Sequence, residues 1–327
     1  MIFRKPDYSE TQEDTRIAEI IKQAREFAEK IAPDDCKENV EERYNNLTIF
    51  LCDGSRTFKS IKDGNLMDRK FNAAAIAFFE NIDTNLYTTT SGIAVLPEAS
   101  SHVITHEALH AFSSETGRAE NGGKYIKVGS KYIECDSKEN IVKKNNEDLN
   151  ESITDALTSR KHNIIGPNSG PTYSSQVIMA DLLIGESVED NFFIQDVYFR
   201  NGERFAEDFD RTIKISKTKF SEYLQGFKVI GDDEDSKRSD EMLKGAVEYR
   251  LRKAQTPEEI DKVYTFQQNV INFYKNGAIH TGFMETEDIE RMDGLLKFAG
   301  DMQKQCKSNL IAQKQFTNKV VNGGFSK

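Results

Sequence analysis

The sequence predicts an α+β fold, in which a small mixed sheet leads into one central helix and is followed by a mainly helical C-terminal region. Four short apolar runs in the first hundred residues are typical of strands, at 47–52, 73–79, 85–90 and 92–96. After residue 151 the apolar residues recur almost wholly at the helical period. The 327 residues have enough apolar content to build one large domain or two modest ones.

The first element is a helix predicted over residues 15–31. Its apolar positions repeat with helical spacing and Pro33 follows its end: Ile17, Ile20, Ile21, Ala24, Phe27, Ala28 and Ile31. The strand candidates come next, and the last of them ends at Pro97. Together they predict a small sheet directly in front of the second helix.

That second helix, predicted from about residue 98 to 112 or 113, carries the most informative motif of the chain, His106-Glu107-Ala108-Leu109-His110. At about 100° per residue, His106 and His110 lie one turn apart on the same face, so both imidazoles can reach one metal ion. Glu107 lies close enough to that face to lean toward a water on the metal, as in H-E-x-x-H hydrolases. The opposite side is apolar and predicts a buried face, formed by Ile104, Ala108, Ala111 and Phe112.

A catalytic zinc generally takes three protein ligands and keeps a position open for water, so a third ligand is needed. The candidate is Glu151, on a helix predicted to run from about residue 146 to 161. The apolar stripe of this helix lies on its other side, at Leu149, Ile153, Ala156 and Leu157. Asp155 shares the face of Glu151, where it could accept the N–H of a coordinating histidine. The alternative is a solvated acidic face.

The two motifs together resemble those of gluzincin zinc metallopeptidases, whose thermolysin-like members carry H-E-x-x-H and then N-E-x-x-S-D. Here the second motif is Asn150-Glu151-x-x-Thr154-Asp155, with threonine in place of the usual serine. The resemblance implies a zincin-like fold with Zn²⁺ as cofactor. It also implies His106, His110 and Glu151 as metal ligands, Glu107 as catalytic base and Asp155 as the outer partner that orients His106.

The interval between the two motifs, 151 − 110 = 41 positions, is longer than in thermolysin. Two strand-like runs around Gly129-Ser130, at 124–128 and 131–135, predict a hairpin flap within it. Over about residues 85–210 the chain is also similar to uncharacterised zinc-peptidase-like proteins of Gram-positive bacteria. The segments that carry this similarity are 149–158, 170–173 and 198–202.

Four further tyrosine and histidine side chains lie outside these motifs. Tyr173, in a Gly/Pro loop, is predicted to donate to the tetrahedral oxyanion, with an ordinary packed tyrosine as the alternative. His280 is a weaker candidate for that role. His162 lies roughly 16 Å along the helix from Glu151, too far to be a ligand. His102 is interpreted as a partly solvated surface histidine, with an outer-shell role as the alternative.

The predicted organisation has four parts. An N-terminal helical segment covers 1–45, the zincin-like catalytic domain 46–230, a helical C-terminal region 231–304 and a flexible tail 305–327. Helices after the second motif are predicted at 174–184, 188–198, 205–213, 217–227, 241–253, 257–274 and 287–303. The acidic stretch at 231–237 is predicted to be a solvated loop between helical layers.

The composition restricts the partners. A formal charge of −10 without any basic tract makes nucleic acid and anionic membrane surfaces poor candidates. No apolar run approaches the length of a membrane span, and the N-terminus lacks a conventional secretory signal. These features predict a cytoplasmic protein, with export by a specialised secretion machine as an open alternative. The four widely spaced cysteines are interpreted as reduced thiols.

These residues predict a zinc-dependent endopeptidase that acts on a protein or peptide substrate. A metal-activated water would attack the peptide carbonyl, with Glu107 as general base. The alternative is a catalytically inactive zincin-like protein that binds a protein partner. The intact Glu107 favours the enzyme, because a purely structural metal site has no use for a base at that position.

Overall fold

The computed structural model of the chain describes residues 2–4, 12–52, 57–62, 65–70, 75–81, 89–120, 122–137, 141–163, 174–224, 232–281 and 286–323. The chain forms two compact units. The first comprises Met1–Ile164 and Val188–Gly202, and the second comprises Ile165–Ser187 and Glu203–Lys327. Strands occur only in the first unit among these residues, and the second is helical, so the α+β class with a helical C-terminal region is confirmed. The four-part division remains a prediction.

The first sheet has the strand order β1-β2-β6-β5. Its strands are β1 (Ile2–Arg4), β2 (Thr48–Leu51), β5 (Ala75–Asn81) and β6 (Thr89–Val95). β1, β2 and β6 run parallel, whereas β5 is antiparallel to β6. The strands predicted at 47–52 and 73–79 are confirmed within two residues. Residues 92–95 form a strand as predicted, but this strand is not separate from the one predicted at 85–90, because β6 pairs with β5 across residue 91 without a break. Residues 82–88 lie outside the described part.

Three helices accompany this sheet: α1 (Gln12–Ile31), α2 (Asp34–Asn45) and α3 (Ser101–Phe112). α1 confirms the first predicted helix. α2 was not predicted, and it starts directly after Pro33, whose φ of −65° suits the residue before a first helical turn. α3 packs against α1, β5 and β6. Ile104 and Ala108 on its inner face are fully buried, as predicted.

A pair of antiparallel strands, β3 (Thr57–Lys62) and β4 (Asn65–Lys70), was not predicted. A second sheet follows α3, with strand order β10-β9-β8-β7 and antiparallel pairing throughout. Its strands are β7 (Ser114–Arg118), β8 (Lys124–Val128), β9 (Lys131–Cys135) and β10 (Ile141–Asn145). The hairpin predicted at 124–128 and 131–135 is β8 and β9.

The turn of this hairpin is not a free flap. The Ser130 backbone N–H donates to Asn150 Oδ1 at 3.1 Å, and the turn is buried. Gly129 has a φ of +55°, and a Cβ on it would collide with Asn150 and the Tyr198 ring. Glycine is therefore required here both for its backbone conformation and for the close approach. The hydrogen bond from Ser130 to Asn150 therefore connects the second sheet to the helix that carries Glu151.

That helix is α4 (Glu147–Lys161), which follows β10 after the left-handed residue Asn146. Its predicted apolar stripe is buried throughout: Leu149, Ile153, Ala156 and Leu157. The last segment of the first unit contains a single π-helical turn, Ile194–Tyr198. The helix predicted over 188–198 is thus wrong in its first half, where residues 188–191 are not helical.

The second unit contains α5 (Ser174–Ile184), α6 (Glu203–Thr212), α7 (Phe220–Leu224), α8 (Asp232–Lys253), α9 (Pro257–Thr281) and α10 (Thr286–Gly323). The acidic loop predicted at 231–237 is wrong, because α8 begins within it. Acidic residues in the first turn of a helix interact favourably with its dipole, so the acidic stretch stabilises the start of α8. The tail predicted at 305–327 is helical as far as Gly323, since lysine, glutamine and alanine propagate a helix that packing has already started.

Two findings bear on the sequence predictions for the whole chain. Among the described helices, none combines the length and the apolar character that a membrane crossing requires. All four cysteines are free thiols, as interpreted: Cys36, Cys52, Cys135 and Cys306.

Candidate metal centre

α3 begins later than predicted because Ser100 caps it. The Ser100 Oγ accepts the backbone N–H of Val103 at 3.3 Å, which satisfies one of the free donors of the first turn. His106 then lies in the middle of the helix and His110 in its last turn. Both histidines face α4, with which α3 is in contact.

The facing sides of α3 and α4 are polar and yet buried. Four polar residues there are at most 5% exposed: His110, Asn150, Thr154 and Asp155. Polar side chains reach such burial in folded proteins when each has a hydrogen-bond partner or an ion to bind. A polar layer between two helices therefore marks this contact as more than packing.

His106, His110 and Glu151 point their ligand atoms at a common position. The two Nε2 atoms lie 3.0 Å apart. Glu151 Oε2 lies 3.2 Å from His106 Nε2 and 3.3 Å from His110 Nε2. Three potential ligand atoms thus form a nearly equilateral triangle, and within the described part of the chain this is the one cluster of histidine, cysteine or acidic side chains able to hold a metal ion.

The size of this triangle suits a small divalent cation. In a tetrahedral site with metal–ligand bonds of about 2.0–2.1 Å, neighbouring ligand atoms are about 3.3 Å apart. The measured edges of 3.0, 3.2 and 3.3 Å match one face of such a tetrahedron. Two imidazoles and a carboxylate are also a donor set that zinc prefers. The residues fit the ion that the sequence predicts.

Asp155 lies on the far side of the His106 ring, with Oδ1 3.5 Å from Nδ1. Burial disfavours a charged imidazole, but the carboxylates of Asp155 and Glu151 outweigh it and raise the pKa of His106 to about 10. An acceptor at Nδ1 holds the proton there and leaves the Nε2 lone pair for a metal. The structure therefore places the Asp155 carboxylate beside Nδ1 of His106, and its orienting role stays a prediction.

Glu151 is set up as a carboxylate. Burial raises the pKa of its side chain, but hydrogen bonds from the His106 and His110 rings outweigh burial and lower it well below the ordinary range. Its side chain remains 27% exposed, so the triangle is open to solvent on the Glu151 side. A metal ion here could accept a ligand from outside the protein.

The outer partners of His110 were not predicted. Its Nδ1 lies 3.1 Å from Asn150 Nδ2 and 3.4 Å from Thr154 Oγ1. Thr154 Oγ1 in turn lies 2.9 Å from the hydroxyl of Tyr198, a fully buried residue of the π-helical turn. The only sequence signal for Tyr198 was the weak similarity over 198–202. π-helical turns often occur at functional sites.

The remaining predicted residues have different outcomes. Glu107 is half-buried, and its charge lies close enough to His106 to raise the pKa of that ring. Tyr173 lies outside the described residues, as does the side chain of His280. His162 Nε2 lies 3.2 Å from Thr105 Oγ1. The His102 side chain is partly solvated, at 17% exposure, and its contact with Asp155 favours the alternative of an outer-shell role.

α3 and α4 therefore form a candidate metal centre in the first unit. It consists of the converging ligand atoms of His106, His110 and Glu151, hydrogen-bonding groups behind both imidazoles, and the neighbouring carboxylate of Glu107. Comparison of the chain with protein-family models, with curated proteins and with solved structures yields no match. The site is accordingly defined by its own residues and geometry.

Proposed function

We propose that the protein is a zinc-dependent peptidase whose metal ligands are His106, His110 and Glu151. The observation that carries the proposal is the convergence of these three side chains from two helices, with ligand atoms 3.0–3.3 Å apart. A buried cluster of two imidazoles and one carboxylate is most stable when a cation satisfies all three lone pairs at once. The resemblance of both motifs to those of gluzincins supports zinc as that cation.

Zinc in such a site lowers the pKa of a coordinated water to about 7 and polarises the carbonyl of a bound substrate. The neighbouring Glu107 is the proposed general base: it accepts a proton from the attacking water and returns it to the leaving amine. Its place directly after His106 is what favours hydrolysis over a structural metal site. A structural site usually has four protein ligands, whereas three ligand atoms converge here.

The other residues of the site position these groups. Asp155 holds the Nδ1 proton of His106, and Thr154 lies behind His110. Tyr173 is proposed as the oxyanion donor from its sequence position alone. The substrate is proposed to be a protein or peptide, which rests on the resemblance to peptidases. A negative net charge argues for a substrate segment that is not strongly acidic.

The test compares wild type with Glu107→Gln on a proteome-derived peptide mixture. We expect wild type to cleave peptides, to lose activity with a chelator and to regain it with zinc. Glu107→Gln should bind zinc as tightly but turn over about 10²–10⁴-fold more slowly, the usual contribution of a general base. Equal cleavage by both proteins would exclude Glu107 as the base. Zinc binding without any cleavage would support the alternative, an inactive protein that binds a partner.

A further inference from the structure

A third histidine of α3 contacts the carboxylate behind the metal ligands. His102 Nε2 lies 3.4 Å from Asp155 Oδ1, and His106 Nδ1 lies 3.5 Å from the same oxygen. His102 and His106 are one helical turn apart, so both lie on one face of α3. Asp155 comes from α4 and inserts between them, and its side chain is 5% exposed.

The hydrogen-bond partners of His102 determine which nitrogen carries its proton. Nδ1 is buried and makes no hydrogen bond within the described part of the chain. A buried N–H that finds no acceptor is costly, whereas a deprotonated ring nitrogen that receives no hydrogen bond costs less. A neutral His102 ring therefore carries its proton on Nε2, from where it donates to Asp155 Oδ1.

The ring of His102 is also held in place from its other side. His162, at the end of α4, lies with its ring centroid 5.9 Å from that of His102, at an interplanar angle of 35°. His162 Nε2 is itself 3.2 Å from Thr105 Oγ1. A ring that is packed on one face and hydrogen-bonded at its edge has little rotational freedom. It can define the orientation of the carboxylate that it contacts.

We propose that His102 is a positioning residue for the metal centre: its Nε2–H fixes the Asp155 carboxylate, and Asp155 in turn fixes the ring of His106. The inference rests on the metal site of the proposed function but does not depend on peptidase activity. Without His102, the Asp155 carboxylate loses one of the contacts that orient it and presents a less constrained acceptor to His106. The first consequence is weaker metal binding.

The experiment measures zinc affinity by competition with a chromophoric chelator. His102→Phe keeps an aromatic ring against His162 but removes the donor. We expect it to bind zinc about tenfold more weakly than wild type, the lower end of what outer partners of metal ligands contribute. The matched control is His162→Phe, which alters the same ring pair without contacting Asp155, and its zinc affinity should equal that of wild type.

A second pair of variants keeps the test decisive if His102→Phe does not fold. His102→Gln places an amide N–H close to the position of Nε2 and should retain the wild-type affinity. His102→Asn is equally polar but too short to reach Asp155, and it should bind zinc as weakly as the phenylalanine variant. Equal affinity of the glutamine and asparagine variants would overturn the proposal.

A double-mutant cycle shows whether His102 acts through Asp155. In an Asp155→Ala background, His102→Phe should cause no further loss of affinity, because the intermediary is already gone. Additive losses would overturn the proposal. Co²⁺-loaded protein adds a spectroscopic readout, since its visible absorption follows the ligand geometry. We expect His102→Phe to shift these bands and His162→Phe to leave them unchanged.

The outcomes separate this inference from the proposed function. If wild type binds zinc and His102→Phe binds it equally well, the positioning role is wrong and the peptidase proposal is unaffected. If the affinities differ as expected but no peptide is cleaved, the peptidase proposal fails and the positioning role stands. A wild type that binds neither zinc nor Co²⁺ would remove both.

Discussion

Two glutamates, one in each unit, show how a buried carboxylate can serve structure or chemistry. Glu248, on α8 of the second unit, is fully buried. One of its oxygens accepts the Lys214 N–H at 2.7 Å and the other accepts the N–H groups of Ile215 at 2.9 Å and Ser216 at 3.1 Å. Arg252 Nε donates to it at 2.6 Å. Every lone-pair direction has a donor, so this carboxylate has no capacity left to bind anything else.

Glu151, on α4 of the first unit, has the opposite surroundings. The groups near its Oε2 are His106 Nε2 and His110 Nε2. Imidazole nitrogens of this kind are common zinc ligands in proteins. When Nε2 of both rings is deprotonated, three lone pairs converge at this position, and a cation would satisfy them. The comparison teaches that burial of an acid is a poor sign of function by itself. What matters is whether its partners are permanent donors, such as backbone N–H groups, or imidazoles that can give up a proton and bind a metal ion.

The largest expected effect is on the stability of the second unit. Glu248→Ala leaves three backbone N–H groups and Arg252 without their acceptor. Removing one partner from a buried charged cluster generally costs about 3–5 kcal/mol, so we expect a loss of that size in the free energy of unfolding, measured with denaturant. Zinc affinity should not change.

The matched control is Glu290→Ala, because Glu290 is an exposed glutamate of α10 in the same unit. Its unfolding free energy should stay within about 0.5 kcal/mol of wild type. If Glu248→Ala were as stable as this control, the Glu248 carboxylate would be dispensable for folding. The contrast between a structural carboxylate at Glu248 and a metal-binding one at Glu151 would then be wrong.

The reverse pattern is expected at Glu151. Glu151→Ala removes one of three ligands, and its effect on zinc affinity should exceed the 10–100-fold that outer partners contribute, so we expect a loss of more than about 100-fold. Glu147→Ala is the control on the same helix, because Glu147 pairs with Lys131 at 2.7 Å and is not one of the three converging ligands. Its zinc affinity should remain that of wild type, as measured by titration calorimetry. Unchanged affinity in Glu151→Ala would disprove the ligand assignment.

A smaller effect is expected from pH. In the metal-free protein His106 has a raised pKa of about 10, so near neutral pH the ring is protonated and a proton must leave before zinc binds. Protons and zinc then compete for one site, and lowering the pH favours the proton. We expect the apparent zinc affinity to rise about tenfold per pH unit from pH 7 to 8, since this interval lies below the raised pKa. Glu151, whose pKa is lowered, stays ionised and adds nothing to this slope.

Asp155→Asn tests the cause of this dependence with a side chain of the same shape. Losing the carboxylate beside Nδ1 lowers the pKa of His106, so the slope between pH 7 and 8 should become shallower than in wild type. A steep slope in the variant would assign the proton to another group. No pH dependence in wild type would contradict protonated His106 altogether.

How far the sequence predicts these regions depends on the range of the contacts involved. Long amphipathic helices are specified by local periodicity, which is why α1 was predicted with its correct end at Ile31. β10 has only two apolar residues in five, and its pairing with β9 makes it a strand. Strand propensity depends on such neighbours, so no local pattern could have shown it.

The same distinction applies within the metal site. His106 and His110 are one helical turn apart, and this spacing can be read directly from the sequence. Glu151 required a motif, because it lies on another helix. Tyr198 is 44 positions from Thr154 and meets it only through the packing of the folded unit. His102 was visible one turn before His106, but its contact with Asp155 depends on how α3 and α4 pack.

The smallest expected effect concerns Thr154, where the chain departs from the serine of the gluzincin motif. Its hydroxyl lies between His110 and Tyr198 and donates to the Asn150 backbone carbonyl at 2.8 Å. Thr154→Ser keeps this hydroxyl and removes one buried methyl group. We expect a stability loss of about 1 kcal/mol and a zinc affinity equal to that of wild type.

Thr158→Ser is the natural comparison, because Thr158 is equally buried on α4 and its hydroxyl donates to the Thr154 carbonyl at 2.7 Å, one turn farther along the helix. It loses the same methyl group without contacting His110, so the two variants should be destabilised alike. If only Thr154→Ser also weakened zinc binding, the methyl group and not the hydroxyl would be holding His110 in place. The threonine would then be a working part of this metal site, where the resemblance treats it as a neutral replacement.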